Sequence, residues 1–506
     1  MRITNKMMTN NMLHNINTNK ANMTTLENKY ASGMEIQRPS DDPIVAVRAL
    51  KLRTNLSELN QYYQKNIPDA KSWMETTENA LMNTSEIITN IHTYCVQGAN
   101  DPLTEKERKS IVSNLKELKN QAYQEGNSNY AGRYLFTGYK TDTSLIFDNY
   151  EKSYEYHITE DISASDIETS DRIVNSVDIS DPFAKVTDRP ESNTIHRIRL
   201  AYDELQEDGA ISIKIYSLDA DENRQYDDTV LAGATTTELT SDNPKAYAPG
   251  DDEIIVLKDT GEIILGKNVY ESCRNSKFEI EYQKNSFDKD ELRPEHYFNC
   301  TRYDLTIKED DKREEEKAVF KSDDQEICYE VNFNQRLAVN VQAKDAFRHS
   351  LGRTIDDMVK SIDDVNEVQE KIAKIEKLLE DISDNPGSYT EDQKTTINEN
   401  LTYLKSELSL KEGLIREAFG RGLTSMATEE NIVNAANSDI GTRYSRLELT
   451  EDRLSTQQVE FTELLSQNED ADLVDTIVNY NAANTVYNAS LQAAGKVVKN
   501  TLLDFL

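Results

Sequence analysis

Apolar residues recur at spacings of three, four or seven at both ends of the chain, and at the C-terminal end they continue to the last residue but one. This period places side chains on a single face of an α-helix. The N-terminal stripe consists of Met8, Met12, Ile16, Met23 and Leu26. The C-terminal stripe consists of Leu473, Ile477, Tyr480, Tyr487, Leu491, Val498, Leu502 and Phe505. A narrow apolar stripe is stable only against a partner helix, so we predict that these residues form an assembly seam.

Residues that end and start helices divide the N-terminal part of the chain into successive helices. Gly33 follows the first stripe and is typical of a helix C-terminus. The next segment is Pro39, Ser40, Asp41, Asp42 and Pro43. It offers an Asp as N-cap and a proline at the first helical position, which predicts a second helix. A heptad stripe follows at Ala70, Met74, Thr77, Leu81, Thr84, Ile88, Ile91 and Cys95. A further helix is expected over about residues 104–125.

The central region, about residues 143–345, alternates apolar and polar residues, which is the pattern of half-buried strands. The clearest alternating segments are 212–217, 277–282, 302–308 and 328–333. Two hairpins are expected, and they pair strands 253–257 with 262–265 and strands 329–333 with 336–341. Helical spacing returns after Phe347 and is interrupted at 384–387. The stretches on either side of that break form either a helical hairpin or two stacked rod segments.

Helix at both ends and strands between them predict an α+β protein. We expect a long antiparallel helical coiled-coil rod, formed by the N- and C-terminal segments, with an inserted central β-rich domain. Residues 1–66 carry a net charge of +4 and residues 467–506 a net charge of −3, which favours pairing of the two ends. The expected domains are a terminal helical assembly domain (1–40 with 467–506), a helical rod domain (41–142 with 346–466) and an acidic β-rich variable domain (143–345).

The charge and hydropathy of the chain exclude several classes of function. Its 506 residues carry a formal net charge of −34, of which −23 falls in the central region. Nucleic acids and anionic membrane surfaces require clustered Lys and Arg, so neither is an expected partner. The sequence has no run of apolar residues long enough for a membrane span, and its first thirty residues lack the apolar core of a cleavable signal. We interpret the four dispersed cysteines as free thiols.

The residues of catalysis and metal binding are not found in any arrangement that supports such chemistry. The six histidines show no spacing suited to ligands, and no phosphate-binding glycine loop or nucleophile motif is present. Residues 219–223 resemble the start of a calcium loop, but Arg224 replaces the glycine that such a loop needs. Asp41 and Asp42 are better explained as helix caps than as a carboxylate pair. We therefore expect no catalytic residue, no cofactor and no metal.

Short sequence motifs occur in order at both ends of the chain. The N-terminal motifs are Met1–Thr4, Tyr30–Gly33, Pro39–Pro43, Arg48–Arg53 and Asn129–Gly138. The C-terminal motifs are Arg446–Leu454, Glu463–Leu473, Ser490–Ala494 and Leu502–Leu506. Together they resemble the flagellar hook-filament junction proteins of the hook-associated protein three type, within the flagellin superfamily. The run Pro39–Ala46 differs from the corresponding run of flagellin itself. The resemblance covers about 140 residues at the start and about 70 at the end, and the middle carries no clear family motif.

The resemblance implies a secreted structural protein that self-assembles in the extracellular part of the bacterial flagellum. It implies export through the flagellar type III channel, a dedicated export chaperone that binds the C-terminal helix, and a position between the first junction protein and the flagellin filament. The protein is then not an enzyme. A filament flagellin of the same superfamily is the nearest alternative. A type III secreted coiled-coil translocator or adhesin, or an acidic binding module, are further alternatives that do not account for motifs at both ends.

Overall fold

The structure, a computed structural model, describes residues 5–503 apart from 101–103, 187, 220–222, 228–229, 275, 309 and 385–388. Its helices are α1 (Asn5–Ser32), α2 (Pro43–Gln61), α3 (Ile67–Asn100), α4 (Glu105–Glu125), α5 (Lys267–Cys273), α6 (Asp310–Glu315), α7 (His349–Asp384), α8 (Glu391–Glu469) and α9 (Leu473–Leu503). Long helices from both ends of the chain enclose a β-rich region in the sequence. The α+β prediction is therefore confirmed.

The strands lie almost entirely in the central third of the chain. They are β1 (Asn129–Tyr130), β2 (Arg133–Tyr134), β3 (Tyr154–Ser163), β4 (Glu168–Val174), β5 (Glu191–Arg199), β6 (Ser212–Leu218), β7 (Arg224–Tyr226), β8 (Thr235–Leu239), β9 (Glu253–Leu257), β10 (Glu262–Leu265), β11 (Lys277–Lys284), β12 (Asn299–Asp304), β13 (Ala318–Phe320), β14 (Cys328–Asn332) and β15 (Gln335–Ala338). We call the strands from β3 to β13 the β module.

The chain divides into two compact units. The first unit contains residues 1–70, 329–337 and 445–506, so it brings the two ends of the sequence together. The second unit contains residues 71–328 and 338–444. It holds the β module together with most of α3, all of α4 and α7, and α8 as far as Tyr444.

The helix boundaries of the first unit follow the local signals in the sequence. Gly33 has a φ of +71°, a left-handed conformation that favours glycine, and its N–H donates to the Lys29 carbonyl at 2.8 Å. Pro43 is the first residue of α2, and the Asp42 carboxylate accepts the N–H groups of Ile44 and Val45 at 2.9 and 3.2 Å. Both predicted boundaries are confirmed.

The heptad stripe of α3 is fully buried. Each of its eight positions has a side chain with at most 1% exposure, from Ala70 to Cys95. In the second unit, Cys95 lies beside Met358 of α7, with the two sulfur atoms 3.5 Å apart. Gly98 of α3 lies against the ring of Phe419 on α8, so a Cβ at this position would overlap the ring. The buried stripe of α3 and the small residue Gly98 therefore allow α3, α7 and α8 to pack closely.

Helices α7 and α8 form a helical hairpin. Val368, Ile372 and Ile375 of α7 share one buried cluster with Ile397 and Leu404 of α8. An ion pair between Lys405 and Glu376, at 3.0 Å, joins the same two stretches. The sequence left two arrangements open for these stretches, a helical hairpin and stacked rod segments, and the structure shows the hairpin. The predicted break at 384–387 lies outside the described residues except for its first position.

The β module consists of two sheets packed face to face. One sheet has the strand order β4-β5-β10-β9-β8 and the other the order β13-β12-β3-β11-β6-β7. The neighbours pair antiparallel, except that β8 and β9 are parallel. The shared core takes Ile198, Val256 and Ile263 from the first sheet and Ile158 and Phe278 from the second. The predicted hairpin of residues 253–265 is confirmed as β9 and β10.

One predicted strand is displaced. The alternation placed it at 302–308, but β12 spans Asn299–Asp304 because its register is set by pairing with β3. The strand ends where the Asp304 carboxylate accepts the N–H of Thr306 at 2.8 Å, a local turn that competes with the sheet. The second predicted hairpin forms as β14 and β15, and its second strand is shorter than expected because it ends at Ala338.

Candidate assembly surface

The helices at the two ends of the chain, α1 and α9, pack against each other within the first unit. The Asn19 amide donates to the hydroxyl of Ser490 at 2.9 Å, across 471 positions of sequence. The least exposed residues of α1 include Met12, Ile16, Met23 and Leu26. Four of the five residues of the predicted N-terminal seam therefore lie on the less exposed stripe of α1, and the fifth, Met8, is 51% exposed.

The residues of the C-terminal seam differ in their exposure on α9. The less exposed stripe of this helix consists of Thr476, Tyr480, Ala483, Asn484, Tyr487, Ser490 and Ala494. Tyr480 and Tyr487 thus lie on this stripe, as the seam requires. Leu473, Ile477 and Leu491 are exposed instead, at 48%, 39% and 43%. The side chains of Val498 and Leu502 and the whole of Phe505 lie outside the part of the chain that the structure describes.

Further apolar side chains of α9 are exposed beside Leu473 and Ile477. Val474 is 75% exposed, Val478 60% and Val486 52%. Five of the exposed apolar residues lie within about 140° of the circumference of α9, whereas Val486 lies outside this arc. We call Leu473, Val474, Ile477, Val478 and Leu491 the outer face of α9. Scattered apolar residues are normal on a protein surface, but five of them on one side of a helix indicate a contact surface.

The segment from Pro39 to Pro43 forms the turn into α2. The Asp41 carboxylate accepts the N–H of Arg38 at 2.9 Å and that of Gln37 at 3.2 Å, while Asp42 caps the helix. Pro39 and Ser40 are exposed. The prediction of a helix cap is therefore confirmed for Asp42, whereas Asp41 accepts N–H groups of the turn before α2 and caps no helix.

The connections α1–α2 and α8–α9 lie side by side. The Glu35 N–H donates to the Glu469 carbonyl at 2.7 Å, and the Ala471 N–H donates to the Gly33 carbonyl at 2.9 Å. The Glu469 side chain is 8% exposed and pairs with Arg53 at 2.7 Å. Sequence reasoning did not identify this ion pair, because nothing in the spacing of two residues 416 positions apart marks them as neighbours.

The chemistry of this surface is that of packing. The assembly surface brings together apolar side chains and backbone hydrogen bonds, and its charge pair joins an exposed Arg53 to a nearly buried Glu469. Within the described residues, no group of three or more His, Cys, Asp or Glu side chains is placed to hold a metal ion. All four cysteines are free thiols, as predicted. Among the helices described, none combines the length and apolar character that crossing a membrane requires.

Comparison with known protein families gives a match at each end of the chain. Residues 3–141 match the bacterial flagellin N-terminal helical region. Residues 424–506 match the bacterial flagellin C-terminal helical region. The first match contains α1 to α4, and the second contains the end of α8 and all of α9. Both helices of the paired termini therefore lie inside the matched regions.

Known proteins similar to this chain are flagellar by name. A flagellin of Clostridium tyrobutyricum is 34% identical over 116 residues, which is 23% of this chain and 30% of the relative. Flagellar hook-associated protein 3 of Salmonella typhimurium is 29% identical over 146 residues, which is 28% of this chain and 45% of the relative. The chain thus matches less than half the length of each of these two relatives.

The solved structures that match this chain include a flagellar hook-associated protein from Vibrio parahaemolyticus. It is 12% identical, has a TM-score of 0.35, and the match covers 85% of this chain and 100% of that chain. The clearest similarity lies at the two termini. There the chain is similar to the bacterial flagellin N-terminal helical region at one end and to the flagellin C-terminal helical region at the other.

Proposed function

We propose that this protein is a structural subunit of the bacterial flagellum that forms the junction between hook and filament by self-assembly. The main support for the proposal is the outer face of α9. Its five apolar residues are exposed on a helix that lies in the part of the chain that matches the flagellin C-terminal helical region. A second copy of the chain, or a neighbouring flagellar subunit, would cover this face. The similarity to flagellar hook-associated protein 3 supports the junction as the place of assembly.

The proposed partners follow from this position. They are other copies of the chain, the first hook-filament junction protein, flagellin and a dedicated export chaperone on the C-terminal helix. The proposed location is extracellular, in the flagellum, after export through the flagellar type III channel. The assembly role requires no catalysis, and the packing chemistry of the surface supports a protein that is not an enzyme. The net charge of −34 supports partners other than nucleic acids and anionic membranes.

We propose that the chain has three functional parts. Residues 1–40 with 467–506 are the assembly part, residues 41–142 with 346–466 are the rod part, and residues 143–345 are a variable, acidic part. The backbone bridge between Met34 and Asp470 supports the first boundary, because it joins the two connections at which α1 and α9 begin to pair. The packing of β3 to β13 around one core supports the last part.

The substitution Leu491→Asp tests the assembly role. Leu491 is 43% exposed in the single chain, so the change should leave the secreted monomer soluble and folded. In the assembled junction the side chain becomes buried, which contributes about 1.5–3 kcal/mol, and an unpaired carboxylate at the same place costs several kcal/mol more. Every subunit of a symmetric collar loses this contact. We expect bare hooks by electron microscopy and flagellin exported into the medium.

A matched control is Asn479→Asp, which adds the same charge at an exposed polar position of α9 on the side away from the outer face. This variant should build filaments of normal length. Full-length filaments in the Leu491→Asp strain, with secreted protein at the wild-type level, would contradict both the contact at Leu491 and the proposed role.

A filament flagellin is the second candidate, and the match to the Clostridium tyrobutyricum flagellin supports it. Copy number distinguishes the two functions, because a filament contains thousands of subunits and a junction contains a short collar. Quantitative mass spectrometry of sheared flagella should find the chain at a small fraction of the main filament protein. A chain that forms most of the filament mass would establish the second function instead.

A further inference from the structure

A buried carboxyl group lies between the two sheets of the β module, where the assembly role has no use for it. Glu160 is on β3 and is 5% exposed. The Tyr282 hydroxyl of β11 donates to its Oε1 atom, and the Ala201 N–H donates to the same atom at 2.9 Å. Tyr282 belongs to one sheet, whereas Ala201 follows β5 of the other. A single carboxyl oxygen therefore joins the two sheets.

The segment that holds Ala201 connects the sheets. The Leu200 N–H donates to the Gly261 carbonyl at 2.9 Å, next to β10, and the Gln206 N–H donates to the Gln283 carbonyl at 3.0 Å, on β11. We call residues 200–206 the linking loop. Glu160 holds the loop near its start, at Ala201, so the position of the loop depends on the state of this carboxyl group.

We call the place where Glu160 connects the two sheets and the linking loop the joint. Four further charged groups surround it. Lys284 of β11 is 2% exposed, and its Nζ lies 3.3 Å from Glu291 and 3.9 Å from Asp203 of the linking loop. Arg353 of α7 pairs with Asp203 at 3.1 Å and is the cation whose field reaches Glu160. The group thus contains two cations and three carboxyls. If all three carboxyls are ionised, one negative charge in the core is without compensation.

Burial acts on the carboxyls in the expected direction. It raises the pKa of Glu160 to about 7, although the hydrogen bonds from Tyr282 and Ala201 oppose the shift. Burial likewise raises the pKa of Glu291 to about 7, against the attraction of Lys284. Both groups therefore change charge near neutral pH. When Glu160 is neutral, the two cations are balanced by the other two carboxylates.

We propose that Glu160 makes the joint between the two sheets and α7 a proton-linked joint. With its proton, Glu160 joins β3, β11 and the linking loop. When the proton leaves to solvent, the carboxylate draws water into the joint and the linking loop opens. The joint is tightest in acidic surroundings and loosens as the pH rises to neutral and above. This device is independent of the outer face of α9, and it adds a response to external pH to a protein that we place outside the cell.

The direction of the effect follows from linkage. A carboxyl whose pKa is higher in the closed state than in the open state binds its proton more tightly when closed, so the closed state is favoured at low pH. The advantage begins to fall above the ordinary Glu pKa of about 4.3, and most of it is lost once the pH has passed about 7. Between about pH 6 and about pH 8.5 the opening equilibrium should increase about tenfold.

Hydrogen exchange of the full chain measures this opening. The rates of the linking loop and β3 are compared at about pH 6 and about pH 8.5, after correction for chemical exchange, in the wild type and in Glu160→Gln. Gln keeps the size and the neutral charge of the protonated group. We expect the ratio of the wild-type to the variant opening constant to rise about tenfold over this range. Glu291 is present in both proteins, so its titration cancels in the ratio.

Two further variants keep the test decisive. Glu281→Gln makes the same chemical change on the exposed side of β11, and its ratio to wild type should stay constant with pH. Tyr282→Phe removes a hydrogen bond that favours the ionised carboxylate, so it should move the midpoint of the wild-type pH response upward. A Glu160→Gln protein with the same pH response as wild type, or an unchanged midpoint in Tyr282→Phe, would overturn the proposal.

Discussion

Single residues at the start of α2 show how local chemistry fixes a helix end. Asp42 offers a carboxylate to two free N–H groups, and Pro43 supplies a fixed φ where no N–H is needed. Both effects act over a few bonds, and this is why the sequence predicted them. Arg53 and Glu469 are the contrasting case, because their ion pair exists only after α2 and the end of α8 have come together.

We predict that Asp42→Ala weakens the first turn of α2. Loss of an N-cap costs about 1 kcal/mol, which corresponds to about fivefold faster hydrogen exchange of the amides near Ile44 and Val45. Ser40→Ala, at an exposed position of the same motif, is the control and should leave these rates unchanged. Equal exchange in wild type and Asp42→Ala would show that the cap contributes nothing there.

At the scale of helices, the close packing of α3 and α8 depends on the absence of a side chain at Gly98. A Cβ there would overlap the ring of Phe419, which is itself fully buried and has no free space to enter. Gly420 is one residue further along α8, and a Cβ there would meet no atom within 4 Å. Two glycines in long helices thus have opposite roles.

We predict that Gly98→Ala destabilises the second unit by about 1–3 kcal/mol, because the two helices must move apart. Gly420→Ala should stabilise the protein by about 0.5–1 kcal/mol, since alanine favours a helix and the site is open. Urea denaturation followed by circular dichroism measures both changes. A shift of the same sign in the two variants would contradict the packing argument.

The terminal helices are less buried than the helices of the second unit. Among the described side chains of α1, only Ile16 falls in the buried class, whereas α3 has a continuous buried stripe. Little apolar burial leaves a low free energy of opening. We predict that amides of α1 and α9 exchange far faster than those of α3 in a dilute monomer, and that assembly slows them. Equal protection of α1 and α3 in the monomer would contradict this.

At the scale of the whole molecule, a buried ion network joins the β module to the helices of the second unit. Asp357 of α7 pairs with Arg172 of β4 at 2.6 Å, with Arg197 of β5 at 2.9 Å and with Arg421 of α8 at 3.2 Å. Arg197 is fully buried and also pairs with Glu262 of β10. Such a network fixes orientation, because each charge has partners only in one arrangement.

We predict that Asp357→Asn destabilises the second unit by about 3–5 kcal/mol at neutral pH, because three arginines lose a buried partner. Burial by itself would raise the pKa of Asp357, but Arg197 and Arg172 hold this pKa well below its usual range. A lowered pKa gives stability that is present above the unfolded value of about 3.9 and is lost as the pH falls further. The difference between wild type and variant should therefore narrow below about pH 4.

Thermal unfolding at a series of pH values checks this prediction. Asp363→Asn, an exposed position on the same helix, is the control and should differ little from wild type at any pH. A constant difference between wild type and Asp357→Asn down to about pH 3 would show that the carboxylate is not held in its charged form by the arginines.

The sequence by itself determined the long helices, the buried stripe of α3 and the positions of β6, β9, β10, β11, β14 and β15. It did not indicate several other strands of the β module, among them β3, β4 and β5. The eight positions of the α3 stripe are all buried, and the ends of α1 and the start of α2 are where Gly33 and Asp42 place them. These features depend on side-chain period and on hydrogen bonds between neighbours in sequence. Periodicity and local chemistry are properties of a short segment, so they can be predicted without the rest of the chain.

Only the tertiary structure decided which faces meet. It turned Tyr480 and Tyr487 of the C-terminal stripe to the less exposed side of α9 and left Leu473, Ile477 and Leu491 exposed. It folded α7 and α8 into a hairpin and ended β12 at Asp304. It also brought Glu160 to hydrogen-bond donors, and Asp357 to arginines, that are far away in sequence. Period identifies a helix face but not its neighbour, because the choice of neighbour depends on competing contacts among all the segments that fold around it.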